Sequence, residues 1–401
     1  MSERILQLGV IGLGRAFTLM LPTFVADRRV RLVAAADPRP EARALFQREF
    51  GRAHDSVEAL CADPAVEAIY IASPHQMHAA HVRLAAEAGK HVLVEKPMAI
   101  TLAECEAMIA AAAAAGVHLI VGHSHSFDSP IRHLREIVDS GAVGAVRMIN
   151  ALNYTDFLYR PRRPEELVTA EGGGVIFSQG AHQIDTVRLI GGGKVKTVTA
   201  STGAWDPARL TEGAYSALLQ FENGAFATAT YNGYGHFDSD ELTGWIGELG
   251  QAKDTSRYGA ARKALAAASN SAAEAMLKSA RNFGGPDYVP AAPVHGLQHQ
   301  HFGFLMASCE RADLRPLPTG VMIYGEDTVR LDPLPPPSVP RAEVIDELYG
   351  ALAHSRPPLH NGAWAMATLE VCLAIIDSAR TGMPVSLRHQ AGLAQSKELQ
   401  R

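Results

Sequence analysis

The sequence predicts an α/β protein of two domains: a doubly wound parallel sheet, then an α+β domain built on a large open, mainly antiparallel sheet. Three observations predict it. The chain has 401 residues, more than one hydrophobic core normally serves. Up to about residue 125, short apolar runs alternate with alanine-rich amphipathic stretches, the pattern of βαβ units. From about Arg147 the apolar runs lengthen and are joined by turn residues instead.

The first domain, 1–125, carries buried-strand runs at 5–11, 30–36, 68–72, 91–95 and 117–122. Thr101 and Glu104 have capping-box spacing at the start of one intervening helix. The second domain, 126–401, opens toward a helix at 178–189 and strands at 146–154, 195–202, 214–221 and 225–231. Glu222-Asn223-Gly224 forms a hairpin turn between the last two. Residues 251–283 are polar and alanine-rich and predict an inserted, mobile helical arm. Leu334-Pro335-Pro336-Pro337 is a stiff linker, and an amphipathic helix at 363–380 closes the domain.

Composition excludes several classes. Hydrophobic residues make up 47%, charged residues 20%, and the net charge is −5. A nucleic-acid binder would need a basic excess. The four cysteines stand far apart with no CxxC pair and predict reduced thiols. Met1-Ser2-Glu3-Arg4 runs straight into the first strand. A signal peptide and an apolar stretch of membrane-spanning length are therefore not expected. A cytoplasmic protein without a membrane partner follows.

Gly12-Leu13-Gly14 follows the first strand and opens a helix with Arg15, Ala16 and Phe17. Gly12 permits a tight turn. Gly14 lets a pyrophosphate approach the free N–H groups of the helix end, so this is a Rossmann-type dinucleotide site. Asp37 ends the second strand, where a carboxylate accepts from both ribose hydroxyls and repels a 2′-phosphate. NAD is expected. Arg39 leaves NADP open, because a guanidinium there can bind that phosphate. Phe17 replaces the usual third glycine and is expected to face the cofactor or the substrate mouth.

Two further segments lie at strand ends, where open α/β sheets bind ligands. Ser73, Pro74, His75 and His78 follow the third strand, and Glu95-Lys96-Pro97 follows the fourth. A lysine near a cationic nicotinamide would have a lowered pKa suited to proton transfer. Further on, Gly172-Gly173-Gly174 leads into a helix with His182 and Asp185 one turn apart. Histidine titrates near neutrality and can take a hydroxyl proton.

These four segments, in this order, resemble the glucose–fructose oxidoreductase/inositol dehydrogenase (Gfo/Idh/MocA) family. The likeness runs through about the first 235 residues and more weakly beyond. It implies a Rossmann domain paired with an open-sheet substrate domain. It implies proton transfer by Lys96 and His182 during hydride transfer, with Asp185 as a substrate contact. Ser178 stands where many family sugar dehydrogenases carry aspartate, and His123-Ser124-His125-Ser126-Phe127-Asp128 stands where Arg-Phe is common. Both departures argue against an ordinary polyol.

Residues 14–22, 123–128 and 153–164 are similar to bacterial phthalate cis-4,5-dihydrodiol dehydrogenases. That likeness implies oxidation of a cis-dihydrodiol dicarboxylate to a catechol dicarboxylate. Arg160, Arg162 and Arg163 offer planar forks for an anionic dicarboxylate. His123, His125 and Tyr154 complete the candidate substrate contacts. His123 with His125, and His295 with His299 and His301, have metal-ligand character, but no metal is expected without further ligands. A homo-oligomer, dimer or tetramer, is expected because an open sheet face needs covering. The rival readings are a sugar or inositol dehydrogenase of the same family, a non-catalytic NAD-binding regulator, and a hydrolase with tightly held NAD.

Overall fold

Six short strands run parallel because helices return the chain between them. They are β1 (Leu6–Ile11), β2 (Val30–Ala36), β3 (Arg52–His54), β4 (Ala68–Ile71), β5 (His91–Val94) and β6 (Leu119–Val121). The sheet order is β3-β2-β1-β4-β5-β6 in this computed structural model, which describes residues 4–290 and 296–393. Strand order reverses between β1 and β4, the topological switch point where this sheet type binds ligands. β4 is buried at all four positions and β1 at all but Gln7, as a sheet covered on both faces requires. The sequence reading missed β3, three residues without an apolar run. Thr101 and Glu104 form the expected capping box.

Nine strands form the second sheet. They are β7 (Val146–Tyr154), β8 (Val195–Gly203), β9 (Ala214–Phe221), β10 (Phe226–Asn232), β11 (Phe304–Cys309), β12 (Asp313–Leu317), β13 (Gly320–Tyr324), β14 (Val329–Pro333) and β15 (Val385–Ser386). Their order is β14-β13-β12-β11-β7-β10-β9-β8-β15. Only the β7–β10 pair is parallel. The β9–β10 hairpin turns at Gly224, whose φ of 88° an L side chain rarely adopts. The four strands β11–β14 went unread because they are short and lack clean alternation.

Two compact units share the chain. One gathers Met1–His123, Asn270–Val294 and Val339–Met366; the other gathers Ser124–Ser269, His295–Ser338 and Ala367–Arg401. The units therefore differ from a single boundary near 125. The expected arm resolves into short helices Ala260–Ala266 and Ser271–Ser279. Its end is not a free arm, because Phe283 is 0% exposed and packs edge-on to Phe17 at 5.3 Å.

The last helix, Gly362–Thr381, is long and apolar enough to cross a membrane, with a mean hydropathy of 1.4. This corrects the expectation that no such stretch exists. Its window is 61% buried in protein. Its buried Glu370 accepts from the backbone N–H of Arg388 and His389. A helix satisfied in this way is a core helix.

Candidate active site

The nucleotide unit assembles its site at the C-terminal ends of β1, β2, β4 and β5. Gly12 has φ 89°, and a Cβ there would stand 2.9 Å from the Ala72 carbonyl oxygen. Gly14 caps the helix Arg15–Ala26 without a side-chain cap, and a Cβ there would meet nothing within 4 Å. The helix end thus presents uncapped N–H groups to open space. Arg15 has its pKa lowered by burial, then by the neighbouring cations Arg281 and Arg341. Open space, a positive helix end and gathered cations fit a dinucleotide's pyrophosphate. Gly14, Arg15 and Ala16 would be the residues to hold it.

Asp37 sits beside this turn, 6% exposed. Its carboxylate accepts from the Leu13 N–H at 2.7 Å, from the Arg39 N–H at 2.9 Å and from the Arg39 Nε–H at 3.0 Å. The two residues that sequence reasoning set against each other, Asp37 and Arg39, form one ion pair. Phe17 corrects the expectation of a cofactor-facing ring. It is 0% exposed, its ring packed against Phe46 and Phe283.

Lys96 is half-buried at the end of β5, before a cis Lys96–Pro97 bond. Glu95 is buried and accepts from the Tyr70 hydroxyl at 2.5 Å, and burial raises its pKa. His78 is not a cofactor contact. Its ring nitrogens lie 3.0 Å from the Pro97 and Ser73 carbonyl oxygens, so it clips these two strand-end loops together. Burial lowers its pKa to about 4, leaving a neutral ring that donates to one carbonyl at a time. Ser73 lies 2.9 Å from His81 Nδ1, and His75 is half-exposed beside His78. His123, which ends the first segment of this unit, is buried.

In the second unit, a wider π-turn at Ile176–Gly180 leads into the helix Ala181–Gly191, which carries His182. The His182 ring meets His125 at 4.8 Å and Phe302 at 5.2 Å between centroids. His125 Nδ1 lies 2.6 Å from Asp128 Oδ2, and its Nε2 lies 3.4 Å from Glu248 Oε1. Burial opposes a charge on His125, but the Asp128 and Glu248 carboxylates outweigh it and raise the pKa to about 9. Glu248 answers with a pKa lowered to about 2: burial opposes this, and His125, Arg160 and His301 outweigh it. His125, Gln183, Thr186, His301 and Phe302 line a small pocket. Glu248, Gln183, Thr186 and Phe302 were missed in the sequence, and nothing in their spacing marks them.

Asp185 corrects the expectation of a substrate contact. It is 4% exposed, and its carboxylate accepts from the hydroxyls of Ser124, Ser126 and Thr368, the last at 2.7 Å. This cage holds the 124–126 segment onto the His182 helix and so positions His125. Tyr154 alternates onto the sheet face opposite the pocket-lining Ala151, with its ring 6.1 Å from Phe237. Among the arginines, Arg162 stacks 3.5 Å over the Phe157 ring and Arg163 lies 3.1 Å from Glu165. Arg160 lies 3.1 Å from Asp156 with its side chain 43% exposed. His301 lies 2.8 Å from the Ile246 carbonyl and His299 2.8 Å from that of Pro335; His295 lies outside the described residues.

Residues 6–123 match the Gfo/Idh/MocA oxidoreductase family, NAD-binding Rossmann fold, and residues 131–252 match the Gfo/Idh/MocA C-terminal domain. A 1-carboxy-3-chloro-3,4-dihydroxycyclohexa-1,5-diene dehydrogenase of Comamonas testosteroni is 48% identical, over 94% of this chain and 95% of its own length.

The chain belongs to the Gfo/Idh/MocA family.

A solved structure from Bordetella bronchiseptica RB50 superposes with a TM-score of 0.90 at 43% identity, covering 96% of this chain and 100% of that one. An aldose–aldose oxidoreductase of Caulobacter crescentus has a TM-score of 0.70 at 22% identity, covering 96% and 100%, and shares the fold. As a Gfo/Idh/MocA member the chain is an NAD-dependent oxidoreductase, which sets aside the non-catalytic regulator.

Proposed function

We propose that this enzyme oxidises a cis-dihydrodiol of a ring carboxylate to the corresponding catechol. The full-length likeness to the Comamonas testosteroni dehydrogenase of a carboxylated cyclohexadiene diol carries the reading. When bound, NAD would supply the hydride acceptor for the carbinol carbon. The chain's residues hold the diol and move its protons. His182, whose ring stands 4.8 Å from that of His125, takes the hydroxyl proton. Lys96 is the alternative base for that proton. The product enone then tautomerises to the aromatic catechol.

Phthalate cis-4,5-dihydrodiol is the specific substrate we put forward, with Arg160 as a carboxylate fork. A monocarboxylate is the second reading, favoured by the engagement of Arg162 with Phe157 and of Arg163 with Glu165. A homo-oligomer is part of the proposal. One sheet face leaves Leu218 and Phe226 exposed, 40% and 43%, an apolar surface a second copy would cover. Four free thiols agree with a cytoplasmic location. Initial rates with NAD on both carboxylated dihydrodiols and on myo-inositol test the reading.

A further inference from the structure

The Arg39 guanidinium has five N–H groups, and four are engaged. Nε lies 3.0 Å from Asp37 Oδ1, and Nη2 lies 3.2 Å from Asp37 Oδ2 and 2.8 Å from the Leu13 carbonyl. Nη1 donates to the Phe283 carbonyl at 3.1 Å. That last acceptor comes from far along the chain, on the segment that follows the helix Ser271–Ser279.

The segment is seated, not loosely laid. Phe283 is 0% exposed and meets Phe17 at 5.3 Å, Tyr288 at 5.1 Å and Phe50 at 6.3 Å. Gly284 has φ 75°, and a Cβ there would lie 2.9 Å from Ala42 Cα. Backbone meets backbone here, so the seat depends on that glycine. Phe17, standing where a third glycine is usual, supplies the ring on which Phe283 rests.

We propose that the 270–290 segment is a cofactor-selectivity element: through the Phe283 carbonyl it pins the Arg39 guanidinium on Asp37 and withholds it from a 2′-phosphate. A ribose with free 2′- and 3′-hydroxyls needs no counter-charge. A 2′-phosphate needs at least one planar fork, and the pinned guanidinium has a single N–H to offer beside a carboxylate that repels it. The selectivity of this site for NAD over NADP is thus held by a segment outside the strand–turn–helix motif. The proposal rests on the cofactor half of the reading above and is independent of the substrate.

The test is calorimetric titration of the full-length protein with ADP-ribose and with 2′-phospho-ADP-ribose, without turnover. The unmodified protein is expected to prefer ADP-ribose by about a hundredfold. Gly284→Ala, and separately Phe283→Ala, are expected to shift the ratio toward the 2′-phosphate by about tenfold. Adding Arg39→Ala to either is expected to abolish that gain. Equal binding of the two ligands by the unmodified protein would overturn the proposal. So would loss of both ligands in parallel in the variants, which would make the segment merely structural. Since no substrate enters the cell, such a failure leaves the dihydrodiol reading standing.

Discussion

His125 Nδ1 lies 2.6 Å from Asp128 Oδ2, with both residues buried. Asp128 fixes one nitrogen, Glu248 faces the other, and His182 meets the ring's edge. His182, the base we propose, thus stands beside a histidine whose two carboxylate neighbours favour its charged form.

That charge gives the fold a pH signature. The His125 pKa is raised from 6.5 to about 9. Its contribution to stability is whole below about pH 6.5 and is lost as pH rises through 9. The Glu248 pKa is lowered to about 2, so its contribution is present above 4.5 and lost as pH falls through 2. Urea unfolding between pH 6 and 9.5 should show falling stability in the native protein and a flatter profile in His125→Asn.

His182→Ala should lower kcat by about 10²–10⁴-fold, the usual yield of a positioned general base. The affinity for NAD should change little, because Gly12, Gly14 and Asp37 stay in place. Stopped-flow rates and equilibrium NAD binding check the two halves separately.

Asp185→Ala should destabilise the fold by about 3 kcal/mol, since it leaves three hydroxyls at the cage without their charged acceptor. Thermal unfolding measures this. A true substrate contact would instead raise KM with stability kept.

Arg160→Ala should raise KM for a carboxylated dihydrodiol about tenfold and leave KM for a neutral dihydrodiol within about twofold. Parallel steady-state assays on the two substrates check it.

Much of this was legible in the sequence because it is local. The parallel strands declared themselves by apolar runs and the nucleotide turn by Gly12 and Gly14. What stayed hidden depends on long-range contact. Glu248 reaches His125 across 123 residues, and Phe283 reaches Arg39 across 244. Phe17 read as an anomaly until its partner ring was in place. Asp185 read as a ligand contact because a buried carboxylate and a catalytic one look alike until their hydrogen-bond donors are seen. The arginine loop read as three open forks, since sequence does not show that Phe157 and Glu165 already engage two of them.

Substrate class is decided by NADH formation from NAD with a carboxylated cis-dihydrodiol against myo-inositol, each over a full concentration series. The expected kcat/KM is at least about a hundredfold higher for the dihydrodiol, with the catechol as product. Equal or better turnover of the polyol would contradict it.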